Sequence, residues 1–380
     1  MLAAHSTPST QDTLLAELKR RIETDGPISI ADYMEACLGD PEFGYYATRD
    51  PLGEKGDFTT APEISQIFGE LIGLWCVVVW QEMGTPASVR LIELGPGRGT
   101  LMADVLRAAK SVPAFYDACK VHLVETSPLL RDIQAETIGR FDKSPQWHAN
   151  LMDISDGSAI LIANEFFDAL PVRQFEKRDG RWFERCVALT KDGKLQFQVH
   201  GEPLESETPL PEELRVQARD GDMAEIRPAS NLIVETLAAR AQKAPTAALF
   251  IDYGHCKSAP GDTLQAVRRH DYADPLEEPG MADLTAHVDF DQLGDTARSS
   301  DLDIHGPLSQ REFLLDLGLK ERCERLVQNA NAATKETIAA GARRLVDPAQ
   351  MGELFKVMAL TSTGITPPPF SSDPKPEQDA

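Results

Sequence analysis

The run Glu93-Leu94-Gly95-Pro96-Gly97-Arg98-Gly99-Thr100 is the strongest chemical signal in the chain. Glycines at 95, 97 and 99 remove Cβ atoms, so the backbone can turn tightly and approach a ligand. A helix starting at Thr100 would add unpaired N–H groups. An acid ahead of such a turn can face a cationic amino group. Glu125 ends the next apolar run, where a carboxylate can accept both hydroxyls of a ribose. Asp153 follows a short strand-like segment, 147–152, within reach of an adenine amino group. Asn164-Glu165-Phe166-Phe167-Asp168-Ala169-Leu170-Pro171 ends a further apolar run. There Asn164, Glu165 and Asp168 can orient a nucleophile while the phenylalanines exclude water. Two carboxylates are also a natural clamp for a planar guanidinium. Each signal has a plainer reading: a structural turn, a solvated strand-end acid, a loop aspartate, or a capping Asn and Asp beside core phenylalanines.

These residues need a frame that brings several strand ends together. Near-continuous apolar runs at 89–94, 120–125, 159–164 and 247–252 fit parallel strands covered on both faces. Helical segments at 100–110 and 127–140 separate the first three, the second opened by Ser127 as N-cap and Pro128 at N1. The βαβα alternation predicts an α/β fold with a doubly wound sheet. Ahead of it, 10–24 and 63–83 read as helices, giving a helical N-terminal region over 1–88. Runs 172–176, 182–189 and 195–200, joined by Asp179-Gly180 and a turn at 191–194, predict an inserted antiparallel meander. An acidic stretch, 201–222, reads as a solvated loop. Helices over 308–345 precede a last strand at 355–361, and the proline-rich tail 366–380 is expected to be disordered. The sheet domain would then span 89–365, with insertions near 171–228 and 307–350.

Composition removes other classes. At 380 residues, 42% apolar and 26% charged, the chain is long enough for a substantial core and is neither a disulfide miniprotein nor a disordered polymer. A net charge of −22 repels phosphate backbones and anionic lipid, so no nucleic-acid partner is expected. The most apolar stretch, Leu71–Trp80, is half the length a bilayer needs, so no membrane insertion is expected. Six widely spaced cysteines without a C-x-x-C pair read as reduced thiols, and the first residues resemble no targeting segment. The expected location is cytoplasmic. His255, His270 and His287, with Asp252, Asp283 and Asp289, lack metal-motif spacing, and no metal is expected. No G-x-S-x-G nucleophile elbow occurs.

A dinucleotide fingerprint needs glycine at position 100, where this chain has Thr. The spacing is instead E-x-G-x-G-x-G, the loop variant of class I S-adenosylmethionine (SAM) methyltransferases. The chain as a whole resembles the MidA family, the mitochondrial complex I assembly methyltransferase and its bacterial relatives, over about residues 12–362. The resemblance is carried by Phe43-Gly44-Tyr45-Tyr46, by Gly56-Asp57-Phe58-Thr59-Thr60-Ala61-Pro62-Glu63, by the loop from Glu93 to Leu101 and by Glu125-Thr126-Ser127-Pro128. It continues through Asn164–Pro171, Asp252-Tyr253-Gly254, Gly261–Ala266, Asp283–Phe290 and Met351-Gly352 with Phe355-Lys356-Val357.

The resemblance implies a class I, Rossmann-like methyltransferase fold with SAM as cofactor. It implies protein arginine methylation of a 49-kDa-type subunit of complex I (NADH:ubiquinone oxidoreductase). Glu93, Gly95, Gly97 and Gly99 would line the amino-acid end of SAM and Glu125 its ribose, with Pro96 and Ser127 also cofactor-binding. Asp153 joins that cofactor set, and Asn164, Glu165 and Asp168 form the methyl-transfer face. Gly56, Asp57, Phe58, Thr59, Thr60 and Glu63 would form a lid or acceptor contacts, with Asp252 and Tyr253 beside them. The competing functions are a non-catalytic SAM-binding assembly chaperone and an NAD-dependent oxidoreductase. A homodimer is a further expectation.

Overall fold

The computed structural model describes residues 13–48, 60–205, 210–328 and 330–370. Gly56, Asp57, Phe58 and Thr59 of the expected lid and residues 371–380 of the expected tail lie outside the described residues. Apolar, mostly buried runs form β1 (Val89–Leu94), β2 (Cys119–Val124), β4 (Ala159–Asn164), β5 (Thr246–His255) and β7 (Phe355–Thr361) of one sheet, and the less buried β3 (Gln146–His148) and β6 (Asp303–Ser309) are its edges. Their spatial order is β3-β2-β1-β4-β5-β7-β6. β1 through β5 pair in parallel, and β7 runs antiparallel to both β5 and β6. A two-residue strand, Val288–Asp289, adds to the end of β5. The order turns back at β1 and β4, and ligands of open α/β sheets bind beyond the carboxyl ends of strands at such a point.

The core of this unit explains the pattern. Every residue of β4 is buried, as a strand covered on both faces requires. The helix Gln66–Glu82 buries Phe68, Leu71, Ile72, Trp75 and Val79, each contributing about 1.5–3 kcal/mol of hydrophobic stabilisation. Gly69 and Gly73 let it lie tightly on the helix Thr100–Ala109, because added Cβ atoms would come within 2.4 Å of Asp104 Cβ and 2.7 Å of Ala108 Cβ. The expected helix near 127–140 is Pro128–Ile138, with the Ser127 hydroxyl accepting from Leu130 N.

Some elements differ from the sequence reading. Residues 303–309 form an edge strand, where a helical region starting at 307–308 is expected; Gly306, Pro307 and an irregular register between His305 and Leu308 hide its alternation. Proline is tolerated there because an edge strand has an unpaired side. The helix Pro228–Ala241 also has no counterpart in the reading. Later helices run Gln310–Asp316, Leu319–Gln328 and Ala332–Val346.

Contacts divide the chain into two compact units. Described residues within Leu52–Asp168, Ser230–Lys257 and Val288–Ala380 form the sheet unit, and those within Met1–Pro51, Ala169–Ala229 and Ser258–His287 form the other. The expected N-terminal region is thus split: residues 13–48 group with the inserted strands and 60–88 with the sheet. The inserted strands Arg173–Arg178, Arg181–Leu189 and Leu195–His200 are antiparallel. Asp179 and Gly180 both have positive φ, 50° and 72°, which matches a type I′ hairpin turn. The segment read as a solvated loop contains the short helix Glu212–Gln217 and leads to the strand Met223–Ile226. In this unit the Gly261–Thr263 segment is structural. The fully buried Gln174 donates to Glu225 Oε1 (2.7 Å) and Asp262 Oδ1 (2.9 Å), while Arg185 donates to Asp262 Oδ2 (2.7 Å).

Candidate active site

The glycine loop leaves β1 with Gly95, Gly97 and Gly99 at φ values of 59°, 52° and 78°, a left-handed region costly for other residues. At Gly95 a Cβ would also lie 2.7 Å from Phe166 Cδ2, so the loops after β1 and β4 touch here. Gly99 is the N-cap of Thr100–Ala109 and has no side chain to serve the orphan N–H groups. The Met102 N–H of that helix's first turn acts on the Glu93 carboxylate and lowers its pKa, against a larger effect of burial. Glu93 is 3% exposed, and its Oε2 has no hydrogen-bond partner among the described residues. Burial pushes its pKa well above the usual carboxylate range.

Glu125, at the end of β2, is also buried, and burial raises its pKa despite several donors. Its Oε1 accepts from Ser127 N at 2.8 Å, and its Oε2 from Gln134 Nε2 at 3.1 Å. Ser127 is primarily the cap of its helix. Asp153 is exposed and accepts from Asn150 N, closing the turn Leu151–Asp153.

After β4 the chain turns at Glu165, a non-glycine residue with φ 50°. Such strain persists only where surroundings enforce it. Here the enforcing group is the fully buried Asp252, whose Oδ2 accepts from Phe166 N (3.1 Å), Phe167 N (2.9 Å) and Asp168 N (3.2 Å). Its Oδ1 accepts from Tyr253 N. The Tyr253 hydroxyl donates to Asp168 Oδ2 at 2.7 Å. Glu165 Oε1 accepts from Ala61 N and Asn164 Nδ2, both at 3.1 Å. Burial, with Asp168 nearby, pushes Glu165 up to about 7. Asn164 Oδ1 is buried without a hydrogen-bond partner among the described residues.

Of the expected lid, the described part is joined to both loops. Thr60 precedes the helical turn Ala61–Ile64. Ala61 N reaches Glu165, and Glu63 Oε1 accepts from the Thr100 hydroxyl at 2.5 Å. Thus Glu93, Gly95, Pro96, Gly97, Gly99, Glu125, Asn164, Glu165, Asp168, Asp252 and Tyr253 all lie at the carboxyl ends of β1, β2, β4 and β5. His255 Nε2, farther along β5, lies 3.4 Å from Asp289 Oδ2, while His270 and His287 belong to the other unit.

Residues 71–308 match the family model for S-adenosyl-L-methionine-dependent methyltransferases. The chain is 35% identical to the protein arginine methyltransferase NDUFAF7, mitochondrial, of Danio rerio, covering 94% of this chain and 89% of that protein. It is 37% identical to the Homo sapiens protein of the same name, covering 91% and 83%. The chain belongs to the SAM-dependent methyltransferase family. A Burkholderia thailandensis crystal structure bound to S-adenosyl-homocysteine is similar, with TM-score 0.77, 28% identity, and coverage of 93% of this chain and 92% of that one.

This methyltransferase has the class I fold and uses SAM. The residues present fit that cofactor: a turn of three left-handed glycines that leaves the backbone bare, and a buried carboxylate, Glu93, with an oxygen lacking a hydrogen-bond partner among the described residues. The cytoplasmic location is overturned by the relatives, which are named mitochondrial proteins. Among the described residues no helix is long and apolar enough to cross a membrane.

Sequence reasoning misses Gln134 and the cradling role of Asp252. Gln134 had a signal: it interrupts the buried stripe Leu130-Gln134-Ile138 on its helix, where a polar residue needs partners. Asp252 had none beyond its place at a strand end, because its partners lie 84–86 residues away.

Proposed function

We propose that the protein methylates an arginine side chain of a protein substrate, a 49-kDa-type subunit of NADH:ubiquinone oxidoreductase, using SAM held at the ends of β1 and β2. Glu93 would pair with the α-amino group of the cofactor, Gly95–Gly99 would carry its amino-acid end, and Glu125 its ribose. When bound, SAM supplies a methyl group on a sulfonium sulfur for in-line attack by a nitrogen. The observation that carries the reading is the placement of Glu165 and Asp168 on the loop whose Phe166 packs beneath Gly95. That contact sets two carboxylates beside the cofactor loop, where they would clamp a guanidinium. Glu165, near neutrality at about 7, is suited to hold the proton that the methylated nitrogen gives up. Asp168, oriented by Tyr253, would keep the guanidinium plane aligned. The arginine specificity is also supported by the names of the relatives.

The test is incubation with methyl-labelled SAM and the purified subunit, followed by mass spectrometry. Methyl label on arginine, lost in Glu165→Ala and Asp168→Ala, is the expected outcome. No label with wild-type protein, or assembly of the complex rescued by both variants, would favour a SAM-binding chaperone.

A further inference from the structure

Gln134 is completely buried, and all of its side-chain polar groups are engaged. Nε2 donates to Gly97 O at 2.7 Å and to Glu125 Oε2 at 3.1 Å. Oε1 accepts from Trp147 Nε1 at 2.8 Å. Gly97 belongs to the loop after β1, Glu125 to the end of β2, and Trp147 to β3, so one amide joins three neighbouring strand ends. A glutamine amide carries two donors and one acceptor oxygen, and each is directed to a different partner. An ordinary core-filling residue would be apolar here, since a buried amide lacking any of these partners costs stability.

We infer that Gln134 is a positioning residue for the cofactor: it holds the Glu125 carboxylate and the Gly97 peptide in one fixed relation, presetting the distance between the ribose acid and the glycine turn. The inference rests on the proposed role of Glu125 as the ribose acid. With Ser127 N on Oε1 and Gln134 on Oε2, the Glu125 carboxylate cannot rotate, yet an ionised carboxylate has about four acceptor sites and keeps capacity for two hydroxyls. Trp147 fixes which way round the amide sits, because its indole N–H can only donate. A flipped amide would set its NH₂ against the indole N–H and its oxygen against two acceptors.

The test is calorimetric binding of S-adenosylhomocysteine to the full chain. Gln134→Met keeps the shape and removes both donors; its Kd should rise about tenfold or more, as expected for losing a hydrogen bond to a charged group. In a Glu125→Ala background the same change should cost clearly less, since one of its two targets is gone. The KM for SAM should rise while kcat at saturation stays near wild type. Gln134→Glu sets a second carboxylate against Glu125, so its affinity relative to wild type should be lowest at pH 8 and recover towards pH 6 as a proton bridges the pair. A space-filling side chain would show no such recovery. Wild-type affinity in a Gln134→Met protein with a normal melting profile, or the same loss with and without Glu125, would overturn the inference. If Gln134→Met does not fold, Trp147→Phe releases only the amide's anchor; a raised Kd supports the inference and an unchanged one sinks it. Failure of the underlying reading looks different: Glu125→Ala would then itself bind S-adenosylhomocysteine normally.

Discussion

The loops after β1 and β4 sit side by side and solve opposite problems. The first is emptied: three left-handed glycines and a cap without a side chain leave bare backbone. The second is crowded: Asn164, Glu165 and Asp168 are packed with phenylalanines, and a non-glycine residue is forced into the same left-handed region. One loop therefore takes its shape mainly from what its residues lack, and the other from a buried acid 84–86 residues away. The glycine turn is shaped by its own residues with one outside brace at Gly97 O, whereas the loop after β4 hangs on three bonds from a distant acid.

The largest effect should come from filling the empty loop. Gly97→Val places a β-branched side chain at φ 52° and should weaken S-adenosylhomocysteine binding by about a hundredfold or more, read by calorimetry. Next is the external brace of the crowded loop. Asp252→Asn sets an NH₂ group among backbone donors and should cost about 2–4 kcal/mol in denaturant unfolding, with methylation lost. Normal stability in this variant would erase the contrast between the loops.

How much of this was visible beforehand follows the same division. Glycine spacing is a constraint on single residues, so the loop after β1 could be read directly, as could β1, β2, β4 and the Asp179-Gly180 hairpin. The sequence marks the ends of β4 and β5 as candidate sites, but Glu165's strain and Asp252's cradle depend on partners brought together only by folding. The strand at 303–309 was hidden because an edge position tolerates the glycine and proline that usually exclude a strand. The compact units escaped a linear reading because each is built from three separate stretches of chain.

Two smaller effects sharpen the comparison through pH. Glu93 has its pKa raised by burial in the ligand-free protein, and a cofactor ammonium would draw it down. Binding should therefore release a proton, and affinity should rise with pH by at most about tenfold per unit. Calorimetry in buffers of different ionisation enthalpy would register this, and a pH-independent Kd would remove Glu93 from the cofactor's amino end. Glu165 is raised to about 7 in the folded protein, so the folded state binds its proton more tightly than the unfolded chain. That contribution stabilises at low pH and fades as pH climbs from the ordinary carboxylate range through 7. Glu165→Gln should therefore melt on the order of 2–4 °C above wild type at pH 8, with the gap closing near pH 5.

The short turn Ala61–Ile64 grips one loop through the Glu165 carboxylate and the other through Thr100. A guest that shifts either loop would pull on its neighbour through this shared clasp. Thermodynamic reciprocity then requires that whatever tightens the hold on one guest by way of the clasp tightens the hold on the other by the same factor. Arrival of the methyl donor and of its recipient would be linked events, set by a single turn of helix.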